Sequence, residues 1–194
     1  MKKGKIIALE GLPGSGKTII GQYLSKKYKN FEFVEQIINN KLKIKNQYYY
    51  LRSDTLKYAK ARKYTDKGFN VLLDRSHLST LAFNYIRDSL YNFRSYKRAK
   101  DVTDRTIKKY GSPDFYIYIV TPIELDFLRK RRKFSNNVRD LWHNKEFLLK
   151  MQKYLLDYLK RRQYKKMFLV ENKESFDDFV RKMERIIKKI VNKK

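Results

Sequence analysis

The sequence predicts an α/β protein, a single domain over 1–194 built in three layers with about five parallel strands flanked by helices. Three observations carry that expectation. The runs KIIALE (5–10) and NVLLD (70–74) are apolar on both faces, as central parallel strands covered on both sides must be. Short apolar runs alternate with longer stretches of helical period. A glycine-rich turn joins the first run to the first helical stretch, and in an open α/β sheet ligands bind outside the carboxyl ends of the strands. A chain of 194 residues is long enough to bury one full core.

In chain order, KIIALE is the first strand and the stretch at about 17–29 the first helix. FEFVE (31–35) is a shorter, weaker strand candidate. A helical pattern at 47–67 leads to NVLLD, and further patterns follow at 77–91 and 97–110. Gly111-Ser112-Pro113-Asp114 is a turn signal before the strand FYIYIV (115–120). Helices at 123–133 and 144–164, the weak strand MFLVE (167–171) and a final helix complete the order. In that last helix Phe176, Phe179, Val180, Met183, Ile186, Ile187 and Ile190 recur at three- and four-residue steps. Ser175 and Asp178 resemble a capping box at its start.

The formal charge of +27 attracts polyanions: nucleic acid, nucleotides or anionic membrane surfaces. A lysine-, asparagine-, isoleucine- and tyrosine-rich composition of this kind also accompanies AT-rich coding, and the basic residues form no single stripe. Cysteine is absent, which excludes a disulfide framework and thiolate metal sites, and His77 and His143 are too scattered for a metal cluster. The longest apolar run is far short of a membrane span and no apolar leader follows the first lysines, so a cytoplasmic protein without membrane attachment is expected.

Gly11-Leu12-Pro13-Gly14-Ser15-Gly16-Lys17-Thr18 fits G-x-x-x-x-G-K-[ST] in full, with Ile19 continuing into the helix. Backbone N–H groups must wrap a phosphate closely, hence glycine. Lys17 reaches the outer phosphates as a point charge, the Thr18 hydroxyl ligates Mg²⁺, and the helix aims its positive end at the anion. ATP and Mg²⁺ are thus the expected donor and metal. A GTPase would need D-x-x-G and N-K-x-D; the first is missing, and Asn172-Lys173-Glu174-Ser175 lacks the final Asp. Asp74 ends the strand NVLLD, where a carboxylate can hold Mg²⁺ as a Walker B aspartate does, and the adjacent Arg75 can clamp an anion bidentately.

The segment Asp74-Arg75-Ser76-His77-Leu78-Ser79-Thr80-Leu81-Ala82-Phe83 resembles the D-R-[YS]-x-x-S-x-x-A-Y region of the thymidylate kinase family and is similar to the E-R-S segment of deoxynucleoside kinases. Glu10-Gly11 matches the E-G of both, Phe33-Val34-Glu35 their acceptor-side strand, Gly68-Phe69-Asn70-Val71 the G-x-x-V before D-R, and Ser112-Pro113-Asp114 with Pro122 and Glu124 the next strand and its exit. The resemblance implies a P-loop kinase fold with an Arg-rich lid at about 129–143, in which Arg129, Arg131 and Arg132 cover the phosphates. It implies ATP- and Mg²⁺-dependent transfer to a small-molecule nucleotide or nucleoside, most like a nucleoside monophosphate, with a deoxynucleoside as the alternative and a polynucleotide 5′-hydroxyl as a further one. Relatives of this kind are often homodimers. In that setting Glu35 is a general base for a nucleoside 5′-hydroxyl or a holder of sugar or metal.

The chain also departs from the family. Pro13 stands where thymidylate kinases carry Asp, Gln36 replaces the Pro after the acceptor-side Glu, and Leu51-Arg52-Ser53-Asp54-Thr55 does not match the thymine-reading D-R-A-Q-H. Tyr48, Tyr49 and Tyr50 are candidates for base stacking or for packing, Trp142 reads as packing near the lid, and His77 as a locally satisfied helix-start histidine.

Overall fold

The computed structural model describes residues 3–35, 49–124, 141–162 and 166–192. Strand β1 (Ile6–Glu10) is buried along its whole length, which is why its sequence carries no polar alternation. It leads through the glycine-rich loop into α1 (Lys17–Lys27) and then β2 (Phe31–Val34). Helix α2 (Tyr49–Asp66), β3 (Asn70–Asp74), α3 (His77–Tyr91), α4 (Tyr96–Tyr110) and β4 (Phe115–Val120) follow. A 3₁₀ turn (Leu141–His143), α5 (Lys145–Arg162), β5 (Met167–Glu171) and α6 (Phe176–Asn192) complete the described chain.

The five strands form one parallel sheet in the order β2-β3-β1-β4-β5. The expected layers, the five strands and the helix positions are therefore observed. The helix expected over 123–133 lies almost wholly outside the described residues. The two strands read as weak, β2 and β5, are the sheet edges, and their partly exposed residues explain the mixed pattern.

Alternate residues of the central strands feed opposite faces. Ile7 and Leu9 of β1 and Ile117 and Ile119 of β4 pack with Ile20 and Leu24 of α1 and with Phe179, Met183 and Ile187 of α6. On the other face Ala8, Tyr116 and Tyr118 meet Leu78 and Ala82 of α3 and Phe147, Met151 and Leu155 of α5. Each of these Ile, Leu, Phe and Met side chains contributes about 1.5–3 kcal/mol by leaving water. The apolar period of α6 is thus its core face, except that Phe176 at the first turn is 47% exposed and stands edge-on to Tyr23. The Ser175 hydroxyl accepts from the Asp178 N–H, as the capping reading expected.

Because β1 lies between β3 and β4, the chain reverses its direction of travel across the sheet at β1. The carboxyl ends of β1 and β3 emerge side by side, with Leu9 in register with Asp74. That register brings the glycine-rich loop and the Asp74-Arg75 turn together.

Candidate active site

The loop conformation follows from its glycines. Gly11 adopts φ 140°, and a Cβ there would stand 2.4 Å from the Ile119 carbonyl oxygen. Both facts exclude any other residue. Gly16 caps α1 in the left-handed region, φ 93°. The loop is also braced from outside: Asn172, just past β5, donates from Nδ2 to the Ser15 carbonyl at 3.0 Å and from its backbone to Val120. Lys17 is buried, and its Nζ donates to the Leu12 carbonyl at 2.6 Å and to Ser15 Oγ at 3.0 Å. Leu12 is buried, Pro13 half-buried, and the Ile19 side chain 62% exposed.

Thr18 donates its hydroxyl to Asp74 Oδ2 at 2.8 Å. Asp74 Oδ1 is buried and, among the described residues, has no hydrogen-bond partner. A buried carboxylate oxygen without a partner is costly, and a cation is the ligand that satisfies it. Thr18 and Asp74 supply the hard oxygen donors that Mg²⁺ takes, so the residues present fit that ion.

Arg75 follows directly, at φ 61°, a left-handed conformation that is uncommon outside glycine. Its Nη1 donates to the Gly11 carbonyl at 3.0 Å and to Ser79 Oγ at 3.2 Å. Its guanidinium lies 6.0 Å from the centre of the Trp142 ring, which in turn packs on Phe83 and Phe147. Among the described residues, Nε and Nη2 of Arg75 make no hydrogen bond.

Glu10 explains how the turn is held. It is fully buried, and Oε1 accepts from the Ser76 N–H at 2.8 Å and from the Ser76 hydroxyl, while Oε2 accepts from the Ser79 hydroxyl. Burial pushes its pKa above the usual carboxylate range, against the lowering effect of the serine hydrogen bonds and the Arg75 charge. The Ser76 hydroxyl also accepts from Leu78 N–H, capping α3. A relay of Arg75, Ser79 and Glu10 therefore ties the arginine to the end of β1.

The sequence-derived residues Lys17, Thr18, Asp74 and Arg75 converge at one place. Glu35 follows the last residue of β2, is exposed, and accepts from Gln22 on α1. Arg129, Arg131, Arg132 and Tyr48 lie outside the described residues, as does the side chain of Tyr49; Tyr50 packs against Phe83. His77 does not face the loop. Its Nδ1 is 2.7 Å from the Tyr58 hydroxyl, and burial lowers its pKa from 6.5 to about 4.

Two residues carried no signal in the sequence. Lys57 and Asp54 of α2 form a buried ion pair at 2.9 Å beneath the Asp74-Arg75 turn. Lysine is so common in this chain that one more on a helix is silent, and only the fold shows that this one is buried.

The arrangement is that of the P-loop kinase fold. A thymidylate kinase from Candida albicans superposes with a TM-score of 0.71 at 17% identity, over 98% of this chain and 93% of that one. Deoxyadenosine kinase from M. mycoides, solved with bound dATP, superposes at 0.68 and 18%, over 94% and 99%. Thymidylate kinase from Ehrlichia chaffeensis gives 0.65 and 16%, over 95% and 99%. No protein-family model matches the chain, and no curated protein sequence does.

Proposed function

We propose that the protein is an ATP- and Mg²⁺-dependent phosphotransferase acting on a nucleoside monophosphate or a nucleoside. The carrying observation is the Thr18–Asp74 pair, with the unpartnered Asp74 Oδ1, set against a complete phosphate-binding loop. The loop amides and Lys17 hold the donor phosphates, and Thr18 and Asp74 hold the metal. Mg²⁺ neutralises charge on the phosphates and fixes their orientation. Arg75 binds the anionic side of the acceptor through Nε and Nη2. Arg129, Arg131 and Arg132 complete the site by sequence position. Phosphoryl transfer asks little more than positioning and charge neutralisation. The monophosphate reading is favoured by the spelling Asp74-Arg75 and by neighbours that include two thymidylate kinases; the deoxyadenosine kinase neighbour supports the nucleoside reading.

Glu35 separates the two acceptors. A nucleoside 5′-hydroxyl must lose a proton, whereas a monophosphate needs no strong base. Glu35→Gln is expected to slow nucleoside phosphorylation by roughly 10²–10⁴-fold while leaving a monophosphate acceptor nearly unaffected.

A polynucleotide 5′-hydroxyl acceptor has one feature in its favour. A groove of about 510 Å³ between α3 and α5 is lined by Tyr85, Tyr154 and Tyr158 with Lys150, Lys153 and Arg161. Aromatic faces with interleaved cations suit single strands.

ADP release should be measured with nucleosides, nucleoside monophosphates and 5′-hydroxyl oligonucleotides. Stimulation by a small acceptor is expected; stimulation by oligonucleotides alone would replace the leading reading. Lys17→Ala should reduce turnover by at least about 10²-fold, since it removes charge stabilisation in a preorganised site. Near-normal activity would remove the loop from the mechanism.

A further inference from the structure

Lys57 is completely buried. Its Nζ donates to the carbonyl oxygens of Asp74 and Arg75, at 3.0 Å each. It also pairs with Asp54 Oδ1 at 2.9 Å, and Asp54 Oδ2 accepts from the Thr80 hydroxyl of α3. For stability alone, two well-packed apolar side chains would serve as well as a buried ion pair or better.

The placement of the two carbonyls is informative. The Asp74 carbonyl belongs to the peptide unit before the Arg75 Cα and the Arg75 carbonyl to the unit after it. One ammonium thus grips both peptide planes that define the Arg75 backbone. Arg75 is the residue in the left-handed region, where a side chain is strained and must be held by its surroundings. The N–H sides of the same two peptide units are held from β1, Arg75 N–H by the Leu9 carbonyl at 3.1 Å and Ser76 N–H by Glu10 Oε1 at 2.8 Å, and Lys57 is the group that holds both carbonyl sides.

We propose that Lys57, oriented by Asp54, is a positioning residue that locks the strained Arg75 backbone, aiming the guanidinium at the acceptor and keeping the Asp74 carboxylate on Thr18. The acceptor part rests on the kinase reading; the backbone lock does not.

The test uses Lys57→Met, Asp54→Asn and the double variant, with two kinds of readout. Lys57→Met strands a buried carboxylate and is expected to melt well below the wild type. The double variant removes both charges and should recover most of that melting temperature. Its kcat should nevertheless stay about 10–100-fold below wild type, with the KM for ATP changed less than about threefold, because misplacement by about an ångström has that effect on rate. Asp54→Asn, which keeps the ammonium, should move in the same direction by less.

The second readout needs no activity. Trp142 is the only tryptophan, and the Arg75 guanidinium lies over it. Iodide quenching of Trp142, relative to acrylamide, should fall in the double variant towards the value for Arg75→Ala. A double variant that regains melting temperature, kcat and the wild-type quenching ratio would overturn the proposal and leave Lys57 a packing residue. If the wild type turns over no acceptor, the kinase reading fails, while an unchanged quenching ratio would still overturn the backbone lock and a shifted one would support it.

Discussion

His77 shows how one residue's surroundings set a property of the whole chain. The Tyr58 hydroxyl is held far above its usual pKa by burial, so it keeps its proton, and it shares a 2.7 Å hydrogen bond with His77 Nδ1. The unfolded chain takes up a proton near pH 6.5, while the folded chain resists until about 4. The unfolded state therefore binds more protons across that window. Stability from this residue is present above pH 6.5 and is lost as pH falls through the window, by about 3 kcal/mol for a shift of this size. Glu10 acts in the opposite sense: its raised pKa favours the folded state at low pH and loses that benefit as pH rises. The comparison with a variant isolates the histidine. His77→Asn keeps an acceptor for Tyr58 and removes the titrating ring. Urea melts at pH 7, 6, 5 and 4 should show a shallower decline for the variant than for the wild type; parallel declines would contradict the assignment.

At the scale of elements, the approach of α1 to β2 is set by a single hydrogen. A Cβ on Gly21 would lie 2.2 Å from Cε2 of Phe33. Gly21→Ala is expected to destabilise by roughly 1–3 kcal/mol, the range for overpacking a filled interior. Phe33→Leu should recover part of the loss in the double variant, and chemical denaturation of the four species measures the coupling. Such close approaches were invisible in the sequence, where Gly21 is one glycine in a helical pattern. The elements themselves were plainly legible. NVLLD and FYIYIV are strands over the expected residues because full burial demands unbroken apolar runs, and the loop was legible because phosphate wrapping tolerates few spellings. What escaped was the support behind the site. Glu10 reads as the polar end of a strand, and Asp54 and Lys57 read as an ordinary i,i+3 pair on a helix surface. Their meaning comes from burial, which depends on how α2 and α3 close over the end of β3.

At the scale of the whole molecule, the charge of +27 acts on stability through self-repulsion. Added salt screens that repulsion, and it also weakens the exposed ion pairs such as Lys100–Asp104 and Lys182–Glu174. The two effects oppose each other, but each exposed pair contributes only about 0–1 kcal/mol, so screening wins and the melting temperature should rise with sodium chloride. A polyphosphate must do more than screen if the loop is a phosphate site. Tripolyphosphate at 100 times its dissociation constant would add about 2.7 kcal/mol by binding only the folded state, which for a chain of this length is roughly 5–10 °C in melting temperature. Matched ionic strength in chloride removes the screening part from the comparison. Lys17→Ala should then abolish most of the extra rise while keeping the chloride response, because the variant changes the net charge by one in 27 and the loop's charge outright. An equal tripolyphosphate effect in both proteins would place the anion on the general basic surface and remove the loop as its site.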